Sequence, residues 1–77
     1  MQVIRLTETF IEFILPIRNI NQLKKLSFCG FRTNNGSFVK GKQTIVPINE
    51  NSIFIRSNFD EEDLAHLIVN LSEGTSD

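Results

Sequence analysis

Apolar residues recur at two different periods along this chain, and the change of period divides it. Near the C-terminus Leu64, Leu67, Ile68 and Leu71 fall at i, i+3, i+4 and i+7, a single stripe on a 3.6-residue period that predicts an amphipathic helix. Its start is well marked. With Asp60 as N-cap, Phe59 and Leu64 take the two hydrophobic-staple positions. Glu61, Glu62 and Asp63 add negative charge in the first turn, where the helix dipole favours it. Gly74 supplies a stop, and the closing SEGTSD reads as a frayed tail.

Upstream the period shortens to two. TIVPINENSIFIRS places β-branched and aromatic runs on both sides of Asn49-Glu50-Asn51, the pattern of a hairpin. Pro47 has no amide hydrogen for a ladder, so its strand is expected at an edge or ending there, and an edge strand in so small a chain is a candidate dimer seam. The stretch FCGFRTNNGSFVKGK, Phe28 to Lys42, reads as a preceding hairpin around Asn35-Gly36. A two-residue loop pairs Thr33 with Phe38 and puts Cys29 and Phe31 on the face of Phe38, Lys40 and Lys42. A three-residue loop over Asn34, Asn35 and Gly36 pairs Arg32 with Phe38 instead; Phe28 and Arg32 then join the lysines, and Cys29, Phe31 and Val39 face away. The second register sorts apolar from polar residues more cleanly and is the one expected.

The first third fits both periods. Val3, Leu6, Phe10, Phe13, Ile14 and Ile17 make a helical stripe, with Arg5, Glu8 and Glu12 on the polar side, yet the same segment is rich in the side chains that sheets prefer. The expectation is a short strand near Gln2 to Leu6, then a helix up to Leu15, interrupted by Pro16. Beyond it, Asn19 is placed to cap a short helix with Ile20, Leu23 and Leu26 on one side and Gly30 at its end. The sum is a single α+β domain over residues 1–77, frayed from about residue 73. In it a small antiparallel sheet of three to four strands packs against a C-terminal amphipathic helix and an N-terminal helix.

Composition narrows the function more than it identifies it. A chain of 77 residues buries only about 60 to 65% of the surface that its unfolded form exposes. Small domains recover the missing stability with disulfides, a metal or a partner. Cys29 is the single cysteine, so no internal disulfide can form, and self-association is the remedy left open. A lone cysteine, the lack of a recognisable leader, and a longest apolar run, FIEFILPI, far short of the roughly 20 residues of a membrane span point to the cytoplasm.

The formal net charge of −1 hides a division. Arg18, Lys24, Lys25, Arg32, Lys40 and Lys42 occupy a stretch with no acid, whereas Asp60, Glu61, Glu62, Asp63, Glu73 and Asp77 occupy one with no Lys or Arg. Such a chain can meet a polyanion, or pair its own halves within or between copies.

Chemistry has little to work with. His66 is the single histidine and lies off the apolar stripe beside Glu62 and Asp63, as a solvated side chain would; Cys29 beside Phe28 in a strand reads as a core thiol. Consecutive acids at a helix start fan around the axis rather than converge on a cation, and one Cys with one His is too few for zinc. The chain has no phosphate-binding glycine loop; VKGK is the nearest approach. No catalytic residue, metal site or cofactor is therefore expected. The expected function is that of a small non-enzymatic protein-interaction or regulatory module, self-associating or part of a larger complex. The alternative is single-stranded nucleic-acid binding through a basic and aromatic hairpin face: Phe28, Arg32, Phe38, Lys40 and Lys42, with Lys24 and Lys25 adding phosphate contacts.

Overall fold

A computed structural model describes residues 2–18, 20–58 and 60–73. The expectations that rest on Asn19, on the Phe59 staple, on Gly74 and on the tail beyond Glu73 lie outside those residues. The chain forms strands β1 (Gln2–Leu6) and β2 (Phe10–Pro16), a 3₁₀ helix (Ile20–Cys29), strands β3 (Arg32–Asn34), β4 (Ser37–Lys40), β5 (Gln43–Asn49) and β6 (Ser52–Asn58), and helix α1 (Glu61–Glu73). The strands make one antiparallel six-stranded sheet in the order β1-β2-β6-β5-β4-β3.

This overturns the expected sheet of three to four strands flanked by two helices. The N-terminal segment is a hairpin, and the strand over Gln2–Leu6 is followed by a second strand where a helix was expected. Helical stripe and strand alternation compete over FIEFILP, and β6 decides between them: it pairs with β2 from Phe10↔Asn58 to Pro16↔Ser52. The turn between β1 and β2 has no Gly, Pro or Asn. Thr7 makes it, its Oγ1 accepting from the amides of Thr9 (3.2 Å) and Phe10 (3.0 Å), a hydroxyl-closed turn.

The second helical segment has a simpler cause. Ile20, Leu23, Leu26 and Cys29 are spaced by three, and side chains at i and i+3 eclipse in a 3₁₀ helix, so all four fall along one edge. Leu23 and Leu26 are buried, and Ile20 and Cys29 pack against them. Gly30, at φ +96°, ends the helix. Phe31 N donates to Leu26 O (3.0 Å) and Gly30 N to Ser27 O (3.4 Å), the two bonds of a Schellman motif, whose apolar contact joins the residue after the glycine to the start of the last turn. Phe31 and Leu26 are both in the core.

Helix α1 starts as its sequence requires. Asp60 Oδ1 accepts from Glu62 N (3.0 Å) and Asp60 O from Leu64 N (3.0 Å), so Asp60 is the N-cap. Leu67 and Leu71 are buried, and Leu64 packs against the core beside them.

The core lies between one face of the sheet and these two helices. Phe13, Ile53, Ile55 and Ile45 come from the sheet; Leu23 and Leu26 come from the 3₁₀ helix, and Leu67 and Leu71 from α1. Gln22 ties the layer together, its Nε2 donating to Leu71 O (2.9 Å) while its Oε1 accepts from Arg18 N (2.7 Å). Among the described residues no helix is long and apolar enough to cross a membrane.

Pro47 neither ends its strand nor puts it at the sheet edge. β5 continues to Asn49 between β4 and β6, but the β4 pairing reaches only Ile45, so at Pro47 the side that lacks an amide hydrogen meets no ladder. The edges are β1 and β3.

Candidate functional site

The hairpin of Arg32 to Lys40 takes the shorter of the two loops. Asn34 pairs with Ser37, Thr33 with Phe38 and Arg32 with Val39; the turn is Asn35-Gly36, with φ +50° and +84°. Positive φ at both central residues is the type I′ turn, whose twist matches that of the strands it joins. The three-residue loop is thereby corrected, and with it the grouping of side chains.

The candidate binding residues are dispersed as a result. Arg32 faces one side of the sheet while Phe38 and Lys40 face the other. Phe38 packs against the core. The Lys40 ammonium lies 5.7 Å from the ring centroid of Phe31. Phe28 and Cys29 belong to the 3₁₀ helix rather than to a strand; Phe28 is 91% exposed, and Cys29 is a half-buried free thiol. Lys24 and Lys25 are exposed on the same helix, Lys42 in the β4–β5 turn, and His66 on α1. These groups do not form one face.

A different surface assembles instead. Directly opposed residues in a ladder share a face, so the pairings place Phe10, Glu12 and Ile14 of β2 with Phe54, Arg56 and Asn58 of β6, Thr44 and Val46 of β5, and Val39 of β4. Arg5 of β1 and Arg32 of β3 complete the row of Glu12 and Arg56 at its two ends. Both helices pack on the opposite face. Phe10, Ile14, Val39, Val46 and Phe54 are only half-buried.

Phe10 is clasped. The Arg56 guanidinium carbon sits 4.1 Å from its ring centroid and that of Arg5 5.6 Å, cation–π contacts worth about 0.5–1 kcal/mol each at an exposed site. Glu12 lies between the same two arginines in the ladder. The surface is thus an apolar centre of Ile14, Phe54, Val46 and Val39 with arginines and one carboxylate around it. Aromatic residues and Arg, two types enriched in protein interfaces, thus stand side by side on it.

Neither a protein-family model, nor a curated protein, nor a solved structure matches the chain significantly.

Sequence reasoning missed this surface because no local stretch contains it. A signal was present nonetheless: β2 reads FIEFIL, apolar at both parities, whereas a strand with one wet face alternates.

Proposed function

We propose that the protein is a small non-enzymatic interaction or regulatory module that self-associates by stacking the open face of its sheet on that of a second copy. One observation carries this reading: β2 is apolar on both faces, β6 adds Phe54 beside it on the open one, and the fold covers only the other face. Strands of that kind belong between two layers, and a 77-residue chain gains most from supplying the second layer by pairing. The face carries both signs of charge, so two stacked copies can set Glu12 of each against an arginine of the other. The reading includes a reducing cytoplasm, which the single Cys29 supports.

Size exclusion with light scattering over a hundredfold concentration range tests it. A dimer mass is expected, falling to monomer in Ile14→Glu and in Phe54→Glu, while Phe28→Glu on the helical layer leaves it unchanged. A monomer at every concentration, or a dimer that only Phe28→Glu disrupts, would sink the proposal.

As a second reading we propose single-stranded nucleic-acid binding, by the open face rather than by the hairpin residues expected from the sequence, because Arg5, Arg32 and Arg56 accompany Phe54 there. Without Trp or Tyr the protein barely absorbs at 280 nm, so co-purified nucleic acid would dominate its spectrum. A salt-sensitive shift of a short oligonucleotide, lost in Arg56→Ala, would favour this reading over the first.

A further inference from the structure

We propose that the hollow between the β4–β5 turn and α1, on the helical side of the sheet, binds the phosphate group of a small phosphorylated molecule. The cavity measures about 360 Å³ and is lined by Lys40, Lys42, Gln43, Asn58 and His66 above an apolar floor that includes Phe31. That volume lies within the range of about 300–1,000 Å³ typical of small-ligand sites.

The lining supplies donors of one kind. Two ammonium groups and an imidazole line it beside the buried Gln43 amide, and among the described residues no carboxylate lines the hollow. Two lysines match the charge of a phosphate dianion, and charge-assisted hydrogen bonds are the stronger class.

Lys40 is also positioned in advance. The Lys40 stem passes over Gly30, where a Cβ would stand 3.4 Å from its Cε, and its ammonium ends above Phe31, 5.7 Å from the centroid. Lys42 is brought to the same rim by the two-residue Gly41-Lys42 turn, closed by the Lys40↔Gln43 pair and opened by Gly41 at φ +57°, as a type II′ turn requires. Gln43 is only 7% exposed. Its Nε2 donates to Ser57 Oγ (3.1 Å), which in turn donates to Asn58 O (3.2 Å). Side chains ordered before binding lose less entropy when a ligand arrives. A single compact cluster, rather than a groove that tracks a backbone, fits one small phosphate better than a polymer.

Amide NMR titration at constant ionic strength is the test, with inorganic phosphate, adenosine monophosphate and a short single-stranded oligonucleotide as separate probes. Saturable shifts are expected at Gly41, Lys42, the Gln43 side-chain amide and His66 with both phosphate and the nucleotide. Lys40→Gln/Lys42→Gln should weaken binding at least tenfold, and Lys42→Gln alone, a change at an exposed turn position, at least threefold with the remaining spectrum intact. Shifts that chloride reproduces, or that survive in the double variant, would overturn the site. An oligonucleotide that binds tenfold tighter than the nucleotide, with shifts spreading to Lys24 and Lys25, would also overturn it by showing a polymer surface instead.

Discussion

The buried amide of Gln22 donates to the carbonyl of Leu71, 2.9 Å away across 49 residues of sequence. That carbonyl lies in the last turns of α1, where C=O groups begin to lack helical partners, while the other end of the same amide takes the Arg18 amide hydrogen as the chain leaves β2. One side chain therefore closes two elements onto the 3₁₀ helix. Gln22→Leu keeps the volume but removes both bonds, leaving buried polar groups unmet. A loss of about 1–3 kcal/mol is expected in urea unfolding with the m-value unchanged.

Two glycines at positive φ should respond differently to the same methyl group. At Gly36 nothing lies within 4 Å of an added Cβ, so Gly36→Ala meets only the left-handed backbone penalty of about 1–2 kcal/mol. At Gly30 the new Cβ meets Lys40 Cε at an ordinary contact distance of 3.4 Å, but the strain falls on the Schellman end that buries Phe31. Gly30→Ala should be the more damaging in thermal unfolding. Equal losses would show that the helix end tolerates the strain as well as the hairpin turn does.

Asp60 caps α1 through its side chain. Asp60→Asn retains an oxygen acceptor and should be nearly silent, whereas Asp60→Ala should lose about 1 kcal/mol. Helix content by circular dichroism near the transition distinguishes a local loss from a global one.

Stability should also depend on protein concentration if the open face pairs. The unfolding temperature is expected to rise with concentration, and Ile14→Glu should abolish the dependence. A constant unfolding temperature would count against the pairing.

What the sequence disclosed was local. The cap at Asp60, the apolar stripe of α1 and the turn at Asn35-Gly36 each depend on residues a few positions apart, and each is found. The N-terminal hairpin was not legible, because FIEFILP satisfies two periods and its turn rests on the Thr7 hydroxyl rather than on Gly or Asn. The hairpin register failed for a related reason. Sorting apolar from polar residues assumed that Phe31 continued the strand, whereas Gly30 redirects it into the core as the end of a helix. The candidate face at Phe28, Arg32, Phe38, Lys40 and Lys42 dissolved with that register. The surface that replaced it depends on Glu12 meeting Arg56 across the middle of the sheet, a pairing that no short window contains.

That central pairing also sets a clock. β2 leaves the ribosome well before its principal neighbour, β6, the last strand among the described residues. At about 5–20 residues per second, synthesis keeps the two apart for a few seconds. During that interval β3, β4 and β5 can join as local hairpins, while FIEFIL waits with both of its apolar sides in water. The nascent chain is then at its most adhesive, and crowding of several growing copies, or the absence of a holding chaperone, would be felt there first.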